Sequence, residues 1–186
     1  RHEGEAGLKV AAQLKQAELR LPGIFETPEM RADELEFEAR LLQPEAGQPL
    51  QVALTQLQLS NDDLQARLHG RWRAVGQSSA GTADFSGELV RARANAIHRY
   101  LPLEVNADAR QWLASGLPKG DIAHAAVTLQ GDLYDFPFSG PQASGAFRIA
   151  GAFSDLTVDY APPEKGSKGW PKLQDMRGQF AVDKVS

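Results

Sequence analysis

The residues that could do chemistry in this chain are few and dispersed. The stretch DELEFE sets Glu34, Glu36 and Glu38 at alternate positions, a spacing that could hold calcium or supply the acid and base of a glycosidase. Alternate residues of a strand share one face, so these carboxylates project side by side instead of converging in a cleft. A charged, solvated strand face accounts for them. The four histidines, His2, His69, His98 and His124, stand far apart, and none lies at metal-ligand spacing with another His or a carboxylate. His69 falls on the polar side of its segment. Nucleophile elbows and glycine-rich phosphate loops are absent from the sequence. These residues imply no catalysis, no metal and no cofactor.

Charge removes another class. Lys and Arg total 20 against 24 Asp and Glu, for a net charge of −4, and nucleic-acid binding needs clustered cations to neutralise phosphate. With no Cys, disulfides and thiolate metal sites are excluded as well. No segment approaches the ~18 uninterrupted apolar residues of a membrane-spanning helix, and there is no signal peptide. The chain opens at Arg1 and stops at Ser186 in mid-pattern. Residues 1–186 are expected to form a single interior segment of a larger protein, with any membrane anchor outside it.

The elements that position these side chains are strands. In residues 32–41, Leu35, Phe37, Ala39 and Leu41 alternate with Glu34, Glu36, Glu38 and Arg40. In 64–74, Leu64, Ala66, Leu68, Gly70 and Trp72 alternate with polar residues. Such segments have one dry and one charged face, the mark of antiparallel sheet with a solvated side. The pattern returns over 8–14, 17–21, 50–59, 83–89, 127–133, 145–153, 156–160 and 178–182, making about ten short strands. Phase slips near Thr55–Gln56, 14–17 and 89–90 predict bulges or strand breaks and a strongly twisted sheet. Residues 95–117 read as a helical insertion. Asn106 is a candidate N-cap, Asp108 lies in the first turn, and Gly116 followed by Pro118 marks the stop. Ala109, Trp112, Leu113 and Leu117 form the expected apolar stripe, and NAIHRYL before Pro102 is a shorter helical turn.

A sheet with one apolar face must be covered by a second sheet, by the helix or by an apolar ligand. Periodicity leaves these open. A closed β-sandwich serving as scaffold or protein-interaction module is the alternative to ligand binding, and a glycan-binding module is a third reading. In GDLYDFPF, Pro137 must end the strand, leaving Phe136 and Phe138 about a turn with Tyr134 nearby. The stretch YAPPEKGSKGWPKL, with Lys165, Lys168 and Lys172 around Trp170, reads as an exposed loop.

Taken in order, LPGIF, LSNDDLQARLHGRWRA, HRYLP, WLASGLPKG, LQGDLYDFPF, GAFRIAGAFSDLTVDYAP and WPKLQDMRGQF resemble the YhdP branch of the AsmA-like proteins over roughly residues 20–182. The connection between YA and WP is lengthened here by PPEKGSKG. The resemblance implies a mainly β fold: a long twisted antiparallel sheet curled into an open, taco-like groove. It implies a protein of the Gram-negative cell envelope that is anchored in the inner membrane and extends through the periplasm. Phospholipid would move along the apolar floor towards the outer membrane, with the same β-groove continuing on both sides of this segment. It implies no enzyme activity. The lipid-binding row would comprise Leu35, Phe37, Leu50, Val52, Leu54, Leu64, Leu68, Val127, Leu129, Phe147, Ile149, Phe153, Phe180 and Val182.

Overall fold

The computed structural model describes residues 7–42, 49–75, 81–103, 105, 107–136, 138, 144–160 and 171–185. Eight strands follow one another: β1 (Gly7–Arg20), β2 (Glu29–Leu42), β3 (Gln51–Ser60), β4 (Leu64–Arg73), β5 (Thr82–Arg93), β6 (Lys119–Asp132), β7 (Gly145–Val158) and β8 (Leu173–Val185). Each pairs antiparallel with its sequence neighbours in a single sheet of order β1 to β8. Among the described residues there is no second sheet, so a sandwich is not formed; β1 and β8 are left as open edges.

Eight strands stand where the alternation suggests about ten, because two apparent breaks lie inside continuous strands. Gln16 adopts a left-handed φ of 52° within β1. The ladder skips Gln16 and Asp33 together, and the pairing sum is unchanged from Lys15–Glu34 to Ala17–Ala32. Both strands therefore change phase at once and register survives. Asp155, with φ of 49°, likewise lies inside one strand, joining 145–153 to 156–160 in β7, but there the register shifts against both β6 and β8. The expected slip at Thr55–Gln56 is a register shift between Leu54 and Leu57, and Val90 is the extra residue between β4 and β5. Extra residues of this kind bend and twist a sheet. With no second layer, most large side chains of the apolar face are still half-buried, which is what a sheet curling over its own face produces.

The helical insertion lies along one rim. It comprises a 3-10 segment (Ala94–Tyr100) and helix α1 (Ala107–Gly116). It is fastened near β1–β2, where Leu103 N donates to Ile24 O at 2.9 Å and Phe25 bridges Pro102. At the other end Asp159 N donates to Gly116 O at 2.8 Å, and Trp112 Nε1 donates to Tyr160 O at 3.1 Å. The insertion thus reaches from the β1–β2 turn to the end of β7. The proposed cap Asn106 lies outside the described residues. The expected stripe of α1 is poorly covered: Ala109 and Trp112 are exposed, Leu113 is half-buried, and Gly116 is the buried residue of the helix. Covering of the sheet falls instead to the shorter 3-10 segment, whose Ile97 and Tyr100 pack on the buried cluster Leu64, Ala92, Ile122 and Ala125.

Candidate functional site: an apolar lane

Cross-strand partners share a face, so the register traces lines of side chains running perpendicular to the strands. One unbroken line is Ala12–Phe37–Leu57–Leu68–Gly87–Val127–Ile149–Val182. A second is Val10–Ala39–Leu54–Gly70–Phe85–Leu129–Phe147. The reverse face carries His69–Ser86–Thr128–Arg148–Asp183, with Lys9 2.9 Å from Glu38 and His124 2.9 Å from Glu88. Glu34, Glu36 and Glu38 occupy that polar side, consistent with a solvated face. The dry side is a strip of apolar lines along the sheet, and its exposure is high at the β1 edge: Leu8 62%, Val10 43%, Leu14 43%.

The fourteen residues of the expected row separate by what covers them. Phe37, Val52, Leu54, Leu68, Val127, Leu129, Phe147, Ile149 and Val182 lie on the two lines just traced or on the neighbouring Leu41–Val52–Trp72 line. Leu64 and Leu35 are each 7% exposed, and Phe153, Phe180 and Ile149 pack against the cluster beneath the 3-10 segment. Leu50 precedes β3 and is 41% exposed. Members missing from that row are Leu57, hidden by the slip at Thr55–Gln56, and Phe85, on the second line.

Two covers fold over the dry face from opposite rims. The first is the 3-10 segment, held by a polar hub at the β3–β4 turn. Asn61 is 7% exposed; its Oδ1 accepts from the Leu64 and Asp63 amides at 2.9 and 3.0 Å. Its Nδ2 donates to Arg31 O at 2.8 Å and to Tyr100 Oη at 2.9 Å. Tyr100 in turn donates to Asp63 Oδ2 at 3.1 Å, and Arg99 pairs with the same oxygen at 3.0 Å. Burial of Tyr100, above all, pushes its phenol above the ordinary 10.0; the Asn61 bond opposes this and the Asp63 carboxylate adds to it. The second cover follows β6, where Phe136 and Phe138 turn back onto the sheet. Phe138 is 2% exposed and seated on Gly131 and Gly145, where an added Cβ would meet its ring at 3.0 and 2.2 Å. Phe136 stacks edge-on against Phe138 at 5.8 Å and Phe147 at 5.7 Å. Pro137 lies outside the described residues, as do Lys165, Lys168 and Trp170 of the second loop; Lys172 pairs with Asp159 at 3.1 Å.

The chemistry of this face is burial. Among the described residues no group of three or more His, Asp or Glu could hold a metal ion, and no helix is long and apolar enough to cross a membrane. A polar cleft of about 640 Å³, lined by Glu18, Glu29, Arg31, Asp63, Arg99 and Tyr100 among others, lies at the β1–β2 end of the rim, beside the lane.

The family model described as YhdP protein matches residues 3–184. No curated protein and no solved structure matches the chain. The match spans nearly the whole sequence. The chain belongs to the YhdP family, a lipid-transport-related branch of the AsmA-like proteins.

Proposed function

We propose that this chain is a segment of a conduit that carries phospholipid between the inner and outer membranes, with acyl chains lying along the apolar lane and headgroups towards solvent. One observation carries the reading: two lines of apolar side chains and glycines cross seven or eight strands without a polar residue, and among the described residues no protein layer covers their middle. Burial of a methylene is worth about 0.8 kcal/mol, so a ~16-carbon chain gains roughly 12 kcal/mol from such a surface. That matches what the chain leaves behind in a bilayer. Transfer is then close to neutral, which lets a carrier hold lipid without trapping it. No residue needs to perform catalysis. In this reading the segment is periplasmic, its two open edges continue into the same β-groove, and the anchor lies elsewhere.

The test is native mass spectrometry with lipid extraction on the purified chain. Phospholipid should co-purify, and Leu54→Asp, which puts a carboxylate on the second line, should strip most of it. Glu36→Lys, on the polar face, should leave loading intact. A folded chain devoid of phospholipid, or equal loading in both variants, refutes the conduit.

A further inference from the structure

We infer that the lane narrows at β6–β7 to a neck floored by Val127 and Leu129 and flanked by Ile97 on one rim and Phe136 on the other. This inference rests on the conduit reading and adds where that conduit limits what passes. Along β3 three apolar positions, Val52, Leu54 and Leu57, face the lane before the covered cluster begins at Leu59. Along β6 the covers close in from both ends. Ile122 and Ala125 are 8% and 0% exposed under the 3-10 segment, and Gly131 lies beneath Phe138. Between them only Val127 and Leu129 point into the lane, both half-buried.

Alternate residues of a strand lie about 7 Å apart, and apolar groups pack at contacts of about 4 Å. The neck therefore has room for the tails of one phospholipid and none for a second abreast. The two flanks differ in how they are held. Ile97 belongs to a segment tied down by the Asn61–Tyr100–Asp63 hub. Phe136 is held by ring contacts to Phe138 and Phe147 and by one backbone bond to Leu133 O at 3.4 Å. Phe136 is accordingly the side whose size sets the width.

The purified 186-residue chain is loaded with a phospholipid carrying a diazirine in one acyl chain, photolysed, digested and mapped by mass spectrometry. Insertion is expected over residues 52–57 of β3 and at Val127 and Leu129 of β6. It should be about tenfold weaker at Ile122 and Ala125, which the cover keeps beyond contact distance. Phe136→Ala should extend insertion to Gly131 and Phe138; Phe136→Leu, which keeps an apolar seat, should extend it less, with both melting curves recorded to certify folding. Labelling on β3 together with equal labelling from Ile122 to Gly131 overturns the neck while the conduit stands. Labelling nowhere on the apolar face removes the conduit, and the neck with it.

Discussion

At the scale of single residues, the fold turns on Asn61. One side chain satisfies the β3–β4 turn, a β2 carbonyl and the Tyr100 hydroxyl. Truncation leaves those buried groups unpaired, at about 1–3 kcal/mol for the group most deeply shielded. Asn61→Ala is expected to lower stability by about 2–3 kcal/mol, read as a shifted urea midpoint with an unchanged slope. Tyr100 gives the hub a pH signature. Its phenol is raised above 10.0 by burial first, so the folded state favours the protonated form. That contribution is complete below the unfolded value and is lost as pH climbs through the folded one. Wild type should therefore lose stability above about pH 10 more steeply than Tyr100→Phe, in unfolding curves compared between pH 8 and 11. Asn61 and Tyr100 sit in two of the quoted motifs, LSNDD and HRYLP, yet the sequence shows only a turn and a helix end. Their bond spans 39 positions, and no local pattern encodes a contact of that separation.

Among the elements, the alternation was legible in part of every strand, but it gave only 127–133 of β6, which runs from Lys119 to Asp132 with the left-handed His124 inside it, and only 178–182 of β8. Gln16 and Asp155 were misleading because a left-handed residue inside a strand looks, in one dimension, like a break between two strands. The insertion was legible as helical, but its apolar stripe pointed to α1 when Ile97 and Tyr100 of the 3-10 segment do the covering. The Phe136–Phe138 cover was beyond reach for a different reason: its seat is glycine, which leaves no hydrophobic signature. That seat makes a prediction. Gly145→Ala thrusts a methyl into the Phe138 ring and should cost about 1–3 kcal/mol by overpacking. Combined with Phe138→Ala, it should cost less than the sum of the two single changes. A thermodynamic cycle of the four proteins measures this, and additive values would place Phe138 elsewhere.

For the molecule as a whole, surface area is the telling quantity. A compact monomer of 20.2 kDa exposes about 8,700 Å², whereas this chain exposes 12789 Å². An open, single-layer sheet contributes to that excess. Two free edges accompany it, and unpaired edges with apolar neighbours recruit other strands. The isolated chain is expected to self-associate with rising concentration, and Val10→Lys, at the β1 edge, should weaken that association. Sedimentation velocity over a dilution series reads both.

The nearest-neighbour strand order has a consequence for how such a protein changes length. Strand order follows chain order through the whole sheet, so each strand lies beside its sequence neighbours. Duplicating or deleting one hairpin thus leaves the order of the remaining strands unchanged. It returns the backbone to the same side and alters reach by about 10 Å. On the conduit reading, span could be tuned in steps of that size.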